Sequence, residues 1–398
     1  MNDSLSTLSA EEKLLISLCR LLFTDEIKDQ TGSLMKEITD WEHFVNLANK
    51  HGIIAIVWFN IMETGNSSNI PAVHLDKLHA AYLKSLARNT FLFNHLEEIL
   101  SLAKPEKIRI VLLKGLALEK TVYGNNGLRQ MNDLDLLVKQ GDAIRLRKIL
   151  LNNGFETDPM ISSIYEKRIF QYGKHLPEMR KKGISVDIHF KLFRQKGNYL
   201  TEEMIKAAIS TDADANAFLP EPQLLFLYLI SHLDKHEKEG STQLRLYLDL
   251  ILLLEKHYDL IISGKLFEYA LETGLEIAVA QKLAILGKYW GISFPDWTSK
   301  YLEKADQKEI KEKFEWFLRH PDAEEPDSER RISLKTLREV EGVGNKLLFM
   351  IGYAFPSLRY LKFRYNSKSQ LAAFLCYPFW WVKLSRLGIR GLRDEDTK

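Results

Sequence analysis

The sequence predicts an α+β protein in which a small mixed β-sheet is flanked by N- and C-terminal helical regions. Two observations predict this fold class. Apolar residues recur at helical spacing from Ser9 to about Leu102 and again after Asn198. Between Lys107 and about Arg194 they form short β-branched runs bounded by glycine and turn residues, which is typical of strands. We therefore predict four segments: an N-terminal helical region 1–104, an α/β core 105–198, a helical domain 199–320, and a linker with C-terminal helices 321–398.

The individual elements follow from local signals. SAEEKLLISLCRLLF begins with a capping box, Ser9 followed by Glu12, and continues as an amphipathic helix. IRIVLLKG predicts a buried strand that ends at Gly115, LALEKTVYG a short helix and DLDLLV a second strand. DAIRLRKILLNNG predicts a helix closed by Gly154. KHLPEMRKKGISVDIHFKLF predicts a hairpin that turns at 182–183.

Composition narrows the class of protein. The chain has 398 residues and a net charge of +2, so there is no global bias toward nucleic acid or membranes. Its two cysteines, Cys19 and Cys376, lie far apart in apolar runs and indicate neither a disulfide framework nor a zinc motif. The N-terminus lacks the basic start of a signal peptide, and no apolar run is long enough to span a bilayer. We expect a soluble cytoplasmic protein.

The stretch RQMNDLDLLV places two aspartates, Asp133 and Asp135, one residue apart in a predicted strand. Side chains two residues apart on a strand share a face, so the two carboxylates are expected to lie side by side and repel each other. A cation between them would explain the pattern, and a wet strand end is the alternative. Asp212 and Asp214 have the same spacing, but their small polar flanks favour a loop or a helix cap.

Three further features accompany the aspartate pair. In LLKG a strand ends and a helix starts at Lys114–Gly115, which is a suitable place for a phosphate group. Arg129 offers a forked donor for phosphate oxygens, or alternatively a salt bridge to the aspartates. Asp187 stands in the middle of the predicted strand SVDIHF, where a carboxylate needs a partner. Three carboxylates and a triphosphate would satisfy Mg²⁺, with Mn²⁺ as the alternative ion, and the third acid could accept a proton from an attacking hydroxyl.

The run LLKGLALEKTVYGNNGLRQMNDLDLLV followed by VDIHFKL resembles the nucleotidyltransferases of the polymerase-β-like superfamily, and is most similar to a bacterial family of uncharacterised nucleotidyltransferases. The resemblance extends over most of residues 40–260. It implies that Asp133, Asp135 and Asp187 are the catalytic metal ligands and that Lys114–Gly115 forms the nucleotide-binding turn. The turn departs from the superfamily pattern, because Lys-Gly replaces glycine followed by serine or glycine and the first aspartate comes later.

The expected reaction is the Mg²⁺-dependent transfer of a nucleoside monophosphate from a nucleoside triphosphate to a hydroxyl-bearing acceptor, with release of pyrophosphate. The acceptor could be a small molecule, a protein or RNA. One alternative is the transfer of AMP onto a protein, the reaction of small antitoxin-type members of the superfamily that this chain resembles. Another is a nucleotide-binding scaffold without catalysis.

Two charged or polar pairs on predicted helices need a separate interpretation. His232 and His236 lie four residues apart, the spacing of two zinc ligands, but no HExxH motif accompanies them. We interpret them as a structural pair, with a cleft-lining role as the alternative. Arg245 and Asp249 have the i, i+4 spacing of a salt bridge on a helix surface.

The C-terminal region is basic and aromatic. From Gly342 to Arg393 the sequence contains nine Lys or Arg residues, eleven aromatic residues and no acid. The favoured interpretation is that these helices pack on the rest of the protein with their aromatic rings inward. Peripheral contact with an anionic membrane and contact with a nucleic acid strand are the alternatives.

Overall fold

The structure, a computed structural model, describes residues 5–193, 198–211, 216–321, 337 and 340–393. It confirms the predicted α+β fold, with helical regions on both sides of one mixed sheet. The sheet has seven strands in the order β3-β4-β5-β2-β1-β7-β6. The strands are β1 Ile110–Leu112, β2 Asp133–Leu137, β3 Glu156–Thr157, β4 Met179–Lys181, β5 Ile184–His189, β6 Ile209–Ser210 and β7 Ala217–Leu219.

The N-terminal helices form a layer that shares its apolar core with the sheet. They are α1 Ala10–Leu18, α2 Asp25–Glu37, α3 Trp41–Lys50, α4 Ile54–Glu63 and α5 Ala72–Ala103. The predicted capping box is confirmed: Ser9 Oγ accepts the Glu12 N–H at 3.2 Å, and the Glu12 carboxylate accepts the Ser9 N–H at 3.0 Å. The 32-residue α5 contacts both α4 and β2, so it connects the helical layer to the sheet.

The centre of the sheet is the parallel pair β2 and β5. In its register Asp135 lies opposite Asp187, and Leu137 lies opposite His189. β1 runs antiparallel to β2, and β4 forms the predicted hairpin with β5. Lys182 and Gly183 at the hairpin turn have φ angles of +47° and +79°, as a two-residue turn with both central residues in the left-handed region requires.

The sheet also contains three strands that the sequence did not predict: the two-residue β3 at its edge, paired antiparallel with β4, and two strands after Asn198. Only helices were expected after Asn198, but β7 pairs in parallel with β1, and β6 pairs antiparallel with β7. These strands have two and three residues, which is too short for an alternating apolar pattern to stand out in the sequence. The Asp212 and Asp214 pair lies outside the described residues.

Helices connect the strands and continue beyond the sheet. Within the α/β region they are α6 Lys114–Leu118, which continues as a π-helical turn Glu119–Tyr123, then α7 Gln140–Asn152, α8 Ser163–Tyr172 and α9 Asn198–Ala207. The following ones are α10 Pro222–Glu239, α11 Leu244–Ile261, α12 Gly264–Thr273, α13 Glu276–Trp290, α14 Ser299–Leu302 and α15 Gln307–Arg319. The α10–α11 pair packs closely, and their apolar residues join the core of the sheet.

The C-terminal helices attach to the sheet domain through α8. They are α16 Val343–Ala354, α17 Leu358–Arg364, α18 Gln370–Phe374 and α19 Tyr377–Arg393. Phe349 of α16 packs against Tyr165, and the Ser162 hydroxyl donates to the Gly352 carbonyl oxygen at 2.6 Å. Most of the predicted linker lies outside the described residues.

The expectation that the C-terminal aromatic rings face inward is confirmed for only some of them. Phe349, Tyr360 and Trp380 are buried. It is wrong for five rings that are exposed: Phe355, Phe363, Phe374, Phe379 and Trp381. The helices are short and pack on the rest of the protein along one side, so one layer of rings faces solvent. Among the described residues, no helix is long and apolar enough to cross a membrane.

Candidate active site

The site lies on one face of the β2–β5 pair. Because the two strands are parallel and in register, Asp135 and Asp187 are neighbours, with Asp133 two residues before and His189 two residues after them on the same face. Ligand atoms of Asp135, Asp187 and His189 all lie within 4.8 Å of one another. Asp133, the first residue of β2, is half-buried and is not part of that group.

Lys114 supplies a positive charge beside Asp135. The Leu113 N–H donates to the Asp135 carbonyl oxygen at 3.1 Å, which ties the end of β1 to β2. Lys114 follows with a φ of +45°, and its Nζ lies 2.7 Å from Asp135 Oδ1. His189 Nε2 lies 2.8 Å from the same oxygen. The Asp135 carboxylate is therefore held by two groups, an ammonium and an imidazole.

The pKa values of the three carboxyl groups are shifted in different directions, because their surroundings carry different charges. Burial, together with repulsion by Asp135, raises the pKa of Asp187 to about 6, and the same two causes raise the pKa of Asp133. Burial acts in the same direction on Asp135, but Lys114 and the hydrogen bond with His189 outweigh it and hold its pKa well below the usual range. Burial lowers the pKa of His189. The uncompensated negative charge therefore lies at Asp133 and Asp187.

This arrangement fits a divalent cation. Two carboxylates whose pKa values are raised by burial and mutual repulsion would be relieved by a positive charge placed between them. Carboxylate oxygens suit Mg²⁺, and an imidazole ligand suits Mn²⁺ or another transition metal better than Mg²⁺. Asp187 and His189 could supply a carboxylate and an imidazole on the same strand. A cation that binds Asp135 has to compete with Lys114 for its oxygen.

The Arg129 side chain points away from the position that the sequence suggested, beside a phosphate or the site aspartates. Its Nε and Nη2 donate to the two carboxylate oxygens of Asp249 at 2.8 and 2.7 Å, and Tyr123 donates to the same carboxylate at 2.8 Å. The forked donor is thus engaged inside the protein rather than directed at a phosphate or at the site aspartates. The predicted surface pair of Arg245 and Asp249 is wrong, because Asp249 is fully buried and Arg245 donates to the Gln130 carbonyl oxygen.

Gly115 is explained by this buried ion pair. A Cβ atom at Gly115 would lie 2.5 Å from Nη1 of Arg129 and 2.6 Å from Sδ of Met131. The missing side chain lets the guanidinium pass directly beneath the turn. The positive φ of the turn belongs to Lys114, so close approach is what requires glycine here. Phosphate binding at Lys114–Gly115 stays a prediction.

A comparison of the sequence with models of known protein families matches residues 37–291 to a family described as an uncharacterised nucleotidyltransferase. The chain belongs to this family. A comparison with curated proteins gives no match. The family match contains every site residue described above and ends before the C-terminal helices begin.

The candidate site opens into a cleft of about 1630 Å³. Its wall includes Lys114, Asp187 and His189, whereas Asp135 lies behind them and is only 3% exposed. Small-molecule sites usually measure about 300–1,000 Å³. The cleft is larger than one nucleotide needs.

His232 and His236 both line this cleft, as the alternative interpretation expected. Their ring centroids lie 4.4 Å apart, and His236 Nδ1 lies 2.8 Å from the Ser241 hydroxyl, so they also form the structural pair. Neither belongs to a metal-ligating cluster of three or more side chains in the part of the chain that the structure describes. They are therefore placed as polar walls of the cleft.

Sequence reasoning missed three residues of the candidate site. His189 was available from the sequence, because in VDIH it stands two residues after Asp187 and so shares its face. His175 pairs with His189 across a β-bridge, with ring centroids 5.4 Å apart, and Tyr228 of α10 lines the cleft beside Lys114. Their positions depend on tertiary packing, and no local motif marks them.

Proposed function

We propose that this nucleotidyltransferase binds Mg²⁺ or Mn²⁺ together with a nucleoside triphosphate and transfers the nucleoside monophosphate to a hydroxyl-bearing acceptor, with release of pyrophosphate. The observation that carries the proposal is the in-register pair of Asp135 and Asp187 at a cleft, with Lys114 beside them. Asp135, Asp187 and Asp133 would hold the metal ions, and His189 would act as a further ligand or orient Asp135.

Lys114 would bind the triphosphate. Burial alone would lower its pKa, but the neighbouring Asp135 carboxylate outweighs burial and raises it, so the ammonium stays charged at physiological pH. Three carboxylates and a triphosphate bring about seven negative charges into one cleft, which repel one another strongly in a partly buried site. A bound divalent cation supplies the compensating charge and polarises the phosphoryl group. Lys114 contributes a further positive charge on the chain itself.

Asp187 is the best-placed proton acceptor. It lines the cleft, within reach of a substrate there, and a carboxylate in that position can accept the proton of an attacking hydroxyl. Its carboxylate would take the proton of the acceptor hydroxyl as that oxygen attacks the α-phosphorus. Asp135 is held at low pKa by Lys114 and His189 and would stay ionised throughout. The two neighbouring carboxylates are thus suited to different tasks.

The size of the cleft supports a second substrate. Besides Lys114, the lining of the cleft includes residues of α10 and α13 and two tyrosines of the C-terminal helices, Tyr353 and Tyr360. A nucleotide at Lys114 would leave the far part of the cleft for the acceptor. Its lining by tyrosines, histidines and lysines is compatible with an acceptor that carries hydroxyl groups.

The test is incubation of the protein with each of the four labelled nucleoside triphosphates, a divalent metal and a cell lysate, followed by separation of protein, RNA and small molecules. Asp187→Asn should lower label transfer on the order of 10³-fold, or roughly 4 kcal/mol of barrier. It is the preferred variant because, unlike Asp135→Asn, it leaves the Lys114–Asp135 ion pair in place. Asp25→Asn, at an exposed helix start, is the matched control.

The destination of the label distinguishes the candidate reactions. Label in a small molecule or RNA supports the proposed transfer, and label in protein supports the alternative transfer of AMP to a protein. Full activity of Asp187→Asn would overturn the proposal. Metal-dependent nucleotide binding without transfer of label to any fraction would favour a nucleotide-binding scaffold instead.

A further inference from the structure

The C-terminal helices concentrate exposed apolar side chains. Among the described residues, 28 large apolar side chains are exposed, and 13 of them lie between Val343 and Val382. This segment is about a tenth of the chain. We define the C-terminal apolar face by these residues: Val343, Leu347, Leu348, Met350, Ile351, Phe355, Phe363, Leu371, Phe374, Leu375, Phe379, Trp381 and Val382. Contiguous patches of this kind mark interaction surfaces in soluble proteins.

Ring contacts connect α16, α18 and α19 within this face. Phe374 contacts Tyr377 with centroids 5.7 Å apart, and Tyr377 contacts Trp381 at 5.6 Å. Trp381 contacts Phe355 at 5.9 Å, and its indole N–H donates to the Ala354 carbonyl oxygen at 2.9 Å. Three of the exposed rings, Phe355, Phe374 and Trp381, are therefore joined in one surface through Tyr377 and a hydrogen bond.

Positive charge is concentrated in the same segment as the apolar face. Residues 342–393 carry nine Lys or Arg residues and no acid, although the whole chain is nearly neutral at +2. Five of the cations are exposed on α16, α17 and the turn that follows: Lys346, Arg359, Lys362, Arg364 and Lys368. In α19, the Lys383 ammonium lies over the Trp380 ring, 5.5 Å from its centroid.

We propose that the C-terminal apolar face lies on an anionic membrane surface, with its apolar side chains at the acyl boundary and its cations at lipid headgroups. Apolar side chains in a polybasic segment are the features that bind amphipathic helices to such surfaces. A second copy of the chain would bring the five exposed cations of this segment against the same five, which opposes self-association through this face. A nucleic acid strand would leave aliphatic residues such as Leu371 and Leu375 without partners.

The test is co-sedimentation of the full chain with vesicles of phosphatidylcholine alone, or mixed with phosphatidylserine in about a 2:1 ratio. The bound fraction should rise with phosphatidylserine and fall as salt is added, because the headgroup attraction is screened. Leu371→Ser combined with Phe379→Ser should lower the partition coefficient at least about 10-fold. The control is Leu260→Ser combined with Leu271→Ser, which changes two equally exposed residues on α11 and α12 and should bind like the original chain.

Both double variants replace side chains that are between 61% and 73% exposed, so both should keep the helical circular dichroism and the label transfer of the unaltered protein. Equal binding to neutral and anionic vesicles, or retained binding by the Leu371 and Phe379 variant, would overturn the proposal. So would a dimer that this variant dissociates, or preferential binding to single-stranded RNA that this variant abolishes. The measurement is independent of whether the site catalyses transfer.

Discussion

Neutralising Asp187 and neutralising Asp135 should change the stability of the metal-free protein in opposite directions. Both residues are aspartates on the same sheet face, opposite each other in the β2–β5 register. Burial and the charge of Asp135 raise the pKa of Asp187, so its ionised form is unfavourable in the fold. Asp135 is ion-paired with Lys114 and hydrogen-bonded to His189, so its ionised form is favourable. Two chemically identical substitutions therefore test the charge balance of the site.

The size of the stability change expected for Asp187→Asn follows from the pKa of Asp187, which the fold raises from 3.8 to about 6. Because a tenfold change in an acid dissociation constant corresponds to about 1.4 kcal/mol, ionised Asp187 costs up to roughly 3 kcal/mol of folding free energy. Below pH 3.8 the carboxyl is protonated in both folded and unfolded chains, and the cost is absent. The cost grows between pH 3.8 and about 6 and is constant above that range. Asp187→Asn should therefore stabilise the protein at pH 8 and have little effect near pH 4.

Asp135→Asn should lower the stability of the protein, whereas Asp187→Asn should raise it. The lowered pKa of Asp135 contributes stability that is present above the ordinary carboxyl range and is lost as the pH falls. Asp135→Asn also leaves the partly buried Lys114 ammonium without its anionic partner, and breaking one side of a buried ion pair costs about 3–5 kcal/mol. The sequence alone suggests the opposite for Asp135, namely relief of repulsion between clustered acids. In the structure the Lys114 ammonium already compensates the negative charge of the Asp135 carboxylate, so removing that charge gives no relief.

The measurement is urea unfolding in EDTA at pH 8, with a second series at the lowest pH at which the protein stays folded. The expected order of stability at pH 8 is Asp187→Asn, then the unaltered chain, then Asp135→Asn. Excess Mg²⁺ or Mn²⁺ should stabilise the unaltered chain by mass action and leave Asp187→Asn nearly unchanged. If Asp187→Asn is the less stable of the two variants in EDTA, the assigned charge balance is wrong.

Three further predictions concern the same site. Calorimetry should detect nucleoside triphosphate binding with Mg²⁺ and little binding in EDTA, and equal affinity in both would contradict the metal role. Gly115→Ala should destabilise the fold by about 1–3 kcal/mol, whereas Gly141→Ala, which meets no atom within 4 Å, should be neutral or slightly stabilising in thermal unfolding. Arg129→Met should cost about 3–5 kcal/mol in urea unfolding because it leaves Asp249 buried and unpaired, and Arg145→Met, at an exposed ion pair, should change little.

The sequence predicted the parts of the fold that depend on local periodicity and turn chemistry. The strand IRIVLLKG, the strand DLDLLV and the hairpin at Lys182–Gly183 are all present, because each has an apolar run and a turn signal within a few residues. The juxtaposition of Asp135 and Asp187 followed from placing both strands in one sheet. The same reasoning could have added His189, since alternation along a strand is a local property.

Long-range partners were not readable from the sequence. Arg129 has the chemistry of a phosphate ligand, and only the fold shows that Asp249, 120 residues later, accepts from two of its three donor nitrogens. Asp249 was interpreted as a surface residue because its local spacing to Arg245 matched a helix pair. The direction in which the C-terminal rings face is likewise set by which side of each short helix meets α8. Local spacing determines which residues share a face, and packing determines what that face contacts.

The role of Lys114 depends on both local sequence and long-range packing. Its place after a buried strand is a local property, but its left-handed backbone and its contact with Asp135 exist only because β1 and β2 are adjacent. The ammonium lets the fold bury one of three clustered carboxylates in ionised form, and the other two, of which Asp187 lines the cleft, have raised pKa values. A cation that binds in the cleft would favour the ionised form of Asp187 and would compete with Lys114 for the Asp135 carboxylate. A phosphate group would give the Lys114 ammonium a second anionic partner. Metal and nucleotide should therefore bind with positive coupling, because each one releases a group that the other needs.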